Sequence, residues 1–304
     1  MSLFAEQIVS QLSLEGIKLE RLLSNKRTPF ALFQLVNSSL VLHFIDLDTY
    51  TVFQSEQDVR FFFQQLSEAF SQEGKRLIHL WEDVWRQKPA VVQSRLRALA
   101  GQSERIPARL TKARRIDRPT AEAFLEKSHL QAPVTAKYKY GLFLPARYFR
   151  VLSASAQAEL VSEGITELLV AVATFSYPRQ VVRDGTPYRS VELVRFANQL
   201  NSTVIGGLDK LLKAFLLDRQ TNGSVFDDVM TYADRDWSDG GSYEKLGFTR
   251  LELTEPQPFW LHPNEAIRYY PHRLPAGLAE TELLLHGYVP VYNAGSIKFV
   301  KMLA

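Results

Sequence analysis

Cysteine is absent from all 304 residues. Disulfides, thiolate metal sites and a cysteine nucleophile are therefore excluded, and the chain suits a reducing compartment, so a cytoplasmic location is expected. No apolar run approaches the roughly 20 residues needed to cross a bilayer. Between Met1 and Leu12 there is Glu6 and no basic residue, unlike the charged start of a secretory signal. Internal repeats and low-complexity segments are also lacking, which sets aside solenoids and disordered tails. What is present is 46% hydrophobic, 12% aromatic and 23% charged, the composition of a chain that buries a full core. At this length two domains, or one enlarged α/β domain, are expected.

The net charge of +3 is small but unevenly spread. Between Arg86 and Arg118 stand ten basic residues, among them Arg105, Arg109, Lys112, Arg114 and Arg115, against Glu104 and Asp117 alone. Such a stripe is able to neutralise several phosphates, which makes DNA a candidate partner. A solvated connector between domains explains it equally well.

Periodicity divides the chain into an α/β (α+β) series. Phe4, Ile8 and Leu12 fall at helical spacing in the stretch from Phe4 to Leu23, and Phe30 to Leu35 and Leu40 to Ile45 have strand density. Asp58 to Phe70 is helical, Arg76 to Trp81 a strand, and Lys88 to Leu99 a basic helix ending at Gly101. Thr120 to Lys127 is a helix started by Pro119 and Thr120. Strands are expected at Tyr138 to Leu144, Glu167 to Phe175 and Ser190 to Phe196, with Asp184-Gly185 a turn. There follow a helix from Gly207 to Leu217, a strand at Asp228 to Tyr232, a short helix at Gly240 to Leu246, and late strands near Phe248 to Leu253 and Tyr288 to Val300. The expected division is a small α/β domain over 1–100, a basic linker over 101–118 and a mixed-sheet domain with flanking helices over 119–304.

Two segments carry candidate chemistry. From Glu192 a buried strand leads through the polar loop Asn201 to Ile205 into Gly206-Gly207 and an amphipathic helix. Glycines there let main-chain N–H groups of Ser202, Thr203, Val204, Ile205, Gly206 and Gly207 approach a ligand, and a helix start favours an anion such as a phosphate. A Gly-Gly pair before a helix also serves as a plain turn. The second segment, VMTYADRDWSDGGSYEKLGF from Val229 to Phe248, places Tyr243 on a short helix after a strand and an Asp/Ser loop.

With these residues the chain resembles the GNAT acyltransferases, in which a strand, a glycine-bearing loop and a helix hold the coenzyme A pyrophosphate and a later helix ends like SYEKLGF here, Ser242 to Phe248. In place of the family's basic residue or glutamine followed by Gly-x-Gly or Gly-x-Ala, this loop has Asn201 through Gly206-Gly207. The resemblance implies acetyl-CoA or another acyl-CoA as cofactor, with Tyr243 protonating the departing thiolate; a phenol remains a donor at neutral pH. Tyr243 as an ordinary core aromatic is the competing reading. More narrowly, His129 in KSHLQAPV, Glu192-Leu-Val-Arg195, Asp234 in YAD and Tyr243 after a glycine pair make residues 109–304 similar to phage Mom-type DNA modification proteins and to domains accompanying homing endonucleases. That resemblance implies that His129, Asp234 and Tyr243 converge on one pocket and that the acceptor is an amine on DNA. Taken alone, His129 serves as a helix cap and Asp234 as an Asx turn. Arg195 and Glu192, three apart on a strand, face opposite sides and are not expected to pair.

In the same phage proteins a nuclease-like domain of the very-short-patch-repair type precedes this module, and Gly74 to Gly101 resembles its end. Metal-dependent hydrolysis needs clustered carboxylates. Asp46, Asp48, Glu82 and Asp83 are available, with Asp46 and Asp48 on one face of a strand. The simpler reading is a degenerate domain without catalysis and without a metal, and a non-catalytic DNA-binding protein of phage or mobile-element origin is the alternative to an acyltransferase.

Overall fold

The computed structural model describes residues 2–22, 27–223, 225–274 and 278–303. In chain order it opens with α1 (Leu3–Leu14), β1 (Leu19–Arg21), β2 (Ala31–Leu35), β3 (Leu40–Ile45), α2 (Leu47–Glu56), α3 (Phe62–Gln72), β4 (Arg76–Trp81) and α4 (Glu82–Gln87). It continues through α5 (Pro89–Leu99), β5 (Glu104–Pro107), β6 (Lys112–Arg115), α6 (Arg118–Ser128), β7 (Tyr138–Pro145), α7 (Ala154–Ser162), β8 (Glu167–Phe175), β9 (Arg179–Arg183), β10 (Thr186–Asn198), β11 (Ser202–Ile205) and α8 (Gly207–Thr221). It closes with β12 (Asp228–Asp234), α9 (Gly241–Glu244), β13 (Thr249–Leu253), β14 (Pro258–His262), β15 (Ile267–Tyr269), β16 (Val289–Tyr292) and β17 (Ser296–Met302). This is the mixed α/β architecture expected. The amphipathic stretch from Phe4 ends at Leu14, and Leu23, its expected limit, lies outside the described residues.

The chain forms two compact units, each discontinuous in sequence: Met1–Pro89 with Tyr232–Ser242 and Arg250–Lys298, and Ala90–Thr231 with Tyr243–Thr249 and Phe299–Ala304. In the first, β1 to β4 make a four-stranded sheet in sequence order, antiparallel except for the parallel pair β3·β4. All six residues of β3 are buried, the mark of a strand covered on both faces. Its largest core gathers Phe30, Tyr50, Phe63 and Trp81 with Leu261 and Val291 from the late three-stranded sheet β15-β14-β16. Asp46 is the N-cap of α2, its carboxylate accepting from Thr49 N–H at 3.0 Å, and Asp48 lies in the first helical turn. Asp46 and Asp48 therefore do not share one face of a strand, the arrangement that would have allowed a metal pair. A capping aspartate adjoining a hydrophobic strand end was the missed signal.

In the second unit the sheet order runs β12-β10-β8-β7-β6, with β9 folded back on β10. Asp184 and Gly185 make the β9–β10 turn with φ of 48° and 78°, the left-handed pair that a two-residue hairpin needs. α6 starts earlier than expected: Asp117, not Thr120, is its cap, accepting from Thr120 N–H at 2.9 Å with proline in the first turn. α8 packs on β7 and β8, where Phe215 stacks on Phe175 at 4.0 Å between centroids. Residues of the expected basic linker form β5 and β6, the first pairing in parallel with β11 and the second antiparallel with β7. No helix among the described residues is long and apolar enough to cross a membrane.

Candidate functional site

The central strand of the second unit is irregular on both flanks. Against β8, its register shifts between Leu193 and Arg195. Bulges of this kind bend a strand and increase its twist. Against β12, the parallel ladder spans Ser190 to Glu192 opposite Asp228 to Met230. At the next position the Thr231 hydroxyl donates to the Leu193 carbonyl at 3.0 Å. β10 and β12 thus part just past Glu192, and the carboxyl ends of neighbouring parallel strands are where open α/β sheets receive ligands.

Tyr243 reaches this place from α9. Its ring packs against Phe248 and Phe299 with centroids 5.7 and 5.6 Å away, as in the core-aromatic reading, but the residue is only half-buried. Burial pushes its phenol up from the usual value, while a hydrogen bond with Thr231 and the charges of Arg95 and Arg195 act in the other direction. The hydroxyl is accordingly a protonated donor at neutral pH, beside the point where the strands divide. Neither Thr231 nor Arg95 was marked in the sequence, because both reach Tyr243 only through the tertiary fold. Arg195 donates to the Val194 carbonyl at 2.8 Å, and Glu192 instead pairs with Arg179 at 3.1 Å, so the two residues do not pair with each other.

The glycine turn is tied to the far end of β10, six residues beyond Glu192. Asn198, the strand's last residue, accepts from Val204 N–H at 3.2 Å. Ser202, Thr203, Val204 and Ile205 form β11 and spend one edge on β5, and the Thr203 hydroxyl meets Ser103 at 2.7 Å. They do not make the open phosphate cradle expected of them. Gly206 is exposed in the left-handed region at φ 77°, and its helix has no side-chain cap. The first N–H groups of this 15-residue helix therefore lack the usual internal acceptor. Asp209 in the same turn is neutralised by Lys213 at 2.7 Å. Gly207 has a different reason to be glycine. A Cβ there would lie 2.9 Å from Val204 Cβ and 3.4 Å from Leu142 Cδ1, so it permits close helix packing and is buried.

Of the five basic residues expected to meet nucleic acid, all are exposed. Arg114 pairs with Glu167 and lies over the Phe143 ring at 3.4 Å, and Arg115 is 4.0 Å from Asp218. Arg105 and Arg109 form no ion pair among the described residues. They flank the glycine turn: a Cβ on Gly206 would sit 3.7 Å from Ala108 Cβ, and Lys210 Nζ donates to the Ala108 carbonyl at 2.9 Å. Lys112 follows two residues after the loop's Leu110 and is equally open.

His129 and Asp234 have local roles. His129 is the C-cap of α6, with Nδ1 3.1 Å from the Gln131 main-chain nitrogen. Asp234 belongs to the first unit, where its Oδ1 accepts from Asp236 N–H at 3.0 Å in an Asx turn. Neither unit by itself brings His129, Asp234 and Tyr243 together.

The acids of the first unit are likewise committed. Glu82 accepts from Leu47 N–H at 2.8 Å, and Asp83 holds Arg268 through bonds of 2.6 and 3.0 Å. Among the described residues no three histidines or acids stand together as metal ligands.

No protein-family model and no curated protein matches the chain. Among solved structures it is similar to a Bacillus subtilis acetyltransferase in complex with CoA (10% identity, 64% of this chain and 99% of that one, TM-score 0.36). It is also similar to a chain of the NatC complex bound to Gag peptide and CoA (12%, 64% and 99%, TM-score 0.34). A third is a chain of the KacTA–DNA complex (16%, 47% and 86%, TM-score 0.31). Superpositions this loose leave the chain's own geometry to carry any functional conclusion.

Proposed function

We propose that the second unit is an acyl-coenzyme A-dependent transferase acting on an amine. The observation that carries this reading is the parting of β10 and β12 beside the Tyr243 hydroxyl, with the uncapped start of α8 tied to the last residue of the same strand. The donor set fits a diphosphate: the main-chain N–H groups of the first turn of α8, which has no side-chain cap, with Arg109 and Lys112 exposed on the adjoining segment. An acyl-coenzyme A, when bound, supplies a thioester open to attack by an amine, with a thiolate as leaving group. Tyr243 would hold its hydroxyl to that thiolate, and Arg95 and Arg195 would add positive potential there. His129 and Asp234 stay candidates for taking the amine's proton on the strength of the family resemblance alone.

The acceptor we propose is an amine on DNA, as in the Mom-type proteins the sequence resembles, with Arg105, Arg109 and Lys112 holding phosphates. Coenzyme A is expected to raise the melting temperature. Gly206→Val, strained in the left-handed region, is expected to weaken that shift, and Tyr243→Phe to keep it while cutting transfer by about 10²-fold or more. Turnover unaltered in Tyr243→Phe would remove the donor role. No coenzyme A shift alongside salt-dependent DNA affinity would assign a non-catalytic DNA-binding protein instead. Replacing Arg105, Arg109 and Lys112 by alanine is expected to lower the slope of log affinity on log salt by about 2 to 3. An unchanged slope would remove them from the DNA contact.

A further inference from the structure

A polar cavity lies wholly within the first unit. It measures about 100 Å³, room for roughly three waters at about 30 Å³ each, or one tetrahedral oxyanion. Four cations line it, Lys75, Arg76, Arg235 and Arg250, against the two carboxylates Glu68 and Asp239. The two carboxylates balance only half of this charge, so the lining keeps an excess of two positive charges.

Two of these cations carry donors that the protein leaves unused. Arg235 is 8% exposed. Its Nη2 donates to Glu68 at 3.1 Å, but its buried Nη1 has no acceptor. Arg76 Nη2 donates to the Trp237 carbonyl at 2.8 Å, while its buried Nε likewise has none. Buried guanidinium donors without acceptors are uncommon in native proteins and destabilising unless an acceptor arrives. Arg250 stands near enough to Arg235 to oppose its charge, and burial acts on Arg235 in the same sense. Ser67 completes the wall, its hydroxyl fixed 2.7 Å from His79 Nε2.

We propose that this cavity binds a phosphate monoester group, with buried Arg235 and half-buried Arg76 as the forks and Arg250 and Lys75 closing over it from the surface. Two guanidinium groups suit bidentate bonds to phosphate oxygens. The two-charge excess of the lining matches a dianion better than the single charge of a phosphodiester. The site is separate from the glycine turn of the second unit and stands whether or not that unit binds coenzyme A.

Isothermal titration of the full chain in the Gly206→Val background, at constant ionic strength in chloride, tests it with three probes: inorganic phosphate, a nucleoside 5′-monophosphate and dimethyl phosphate. The first two are expected to bind, with dimethyl phosphate at least tenfold weaker. Arg250→Ala and Lys75→Ala alter partly or fully exposed residues and leave the core alone; together they are expected to weaken phosphate at least tenfold. Arg235→Gln removes the buried fork and is expected to abolish binding, with circular dichroism checking that the variant is folded. Absence of a phosphate-specific signal, or equal affinity in the Arg250→Ala/Lys75→Ala variant, would overturn the site. Dimethyl phosphate binding as tightly as phosphate would overturn the monoester assignment.

Discussion

Acid should destabilise the first unit through a pair of buried histidines. His43 and His79 sit opposite each other in the β3·β4 ladder, both fully buried, with their Nδ1 atoms 2.9 Å apart. One proton fits between those nitrogens. The outer nitrogens are also engaged, His43 Nε2 with Thr28 at 2.8 Å and His79 Nε2 with Ser67 at 2.7 Å. Phe30 and Phe63 cover the rings at 5.3 Å each. Burial holds both imidazoles neutral: His79 is lowered to about 3, and His43 moves in the same direction with the His79 charge as a further cause. A histidine in the unfolded chain titrates near 6.5. Below that pH the unfolded state binds the proton and the folded state does not, so stability is complete above it and falls as pH drops toward 3. At pH 5 the loss from His79 alone is about 2 kcal/mol, 1.5 pH units at roughly 1.4 kcal/mol each. Urea unfolding of the wild type and His79→Gln between pH 7.5 and 5 isolates this effect, because carboxylate contributions cancel in the difference. The wild type is expected to lose about 2 kcal/mol more than the variant over that range. Parallel curves would mean that His79 is protonated in the folded protein and would refute the reasoning.

Breaking the Asp83–Arg268 pair is the harshest single change expected here. Asp83→Ala leaves a guanidinium over the Trp81 ring at 4.7 Å without its carboxylate, at a loss of about 3 to 5 kcal/mol by denaturant titration; a loss below about 1 kcal/mol would show the pair to be solvated. Asp236, pushed up to about 8 by burial and by Asp234 and Asp83, keeps its proton when folded. Its stability contribution is complete below the unfolded value near 4 and declines as pH rises toward 8. Asp236→Asn should therefore match the wild type at pH 4 and exceed it at pH 8 by on the order of a few kcal/mol; equal melting at both pH values would place Asp236 in its charged form throughout.

Local pattern carried much of the fold. β3, β4 and β8 have the bounds that apolar density suggests, since a strand covered on both faces needs a near-continuous apolar run. α7 was invisible because none of its residues is buried, so it has no apolar face to betray its period. α2 buries only Leu47 and Tyr50, too few for a periodic signal, so Asp46 reads as a continuation of β3 instead of the cap of a helix. The return of residues 232–242 and 250–298 to the first unit had no local cue at all. The His43–His79 contact depends on strand register, and the environment of Tyr243 on residues from α5, β10 and β12. Sequence spacing identifies a residue able to do chemistry, whereas these contacts determine which chemistry it does.

Tyr243 illustrates the difference. An unperturbed phenol near 10 already yields its proton reluctantly to a thiolate whose acid titrates near 8.5, uphill by about 2 kcal/mol. Burial widens that gap, so delivery of a whole proton is less suited to this phenol than the sequence resemblance implies. Donation of a hydrogen bond has no such barrier, and it strengthens as charge grows on the sulfur. Arg95 and Arg195 favour the same outcome, because they stabilise negative charge near the hydroxyl without needing to release a proton. In the proposed transfer this environment would favour electrostatic stabilisation over acid catalysis, and solvent or the proton lost by the amine would neutralise the thiolate afterwards.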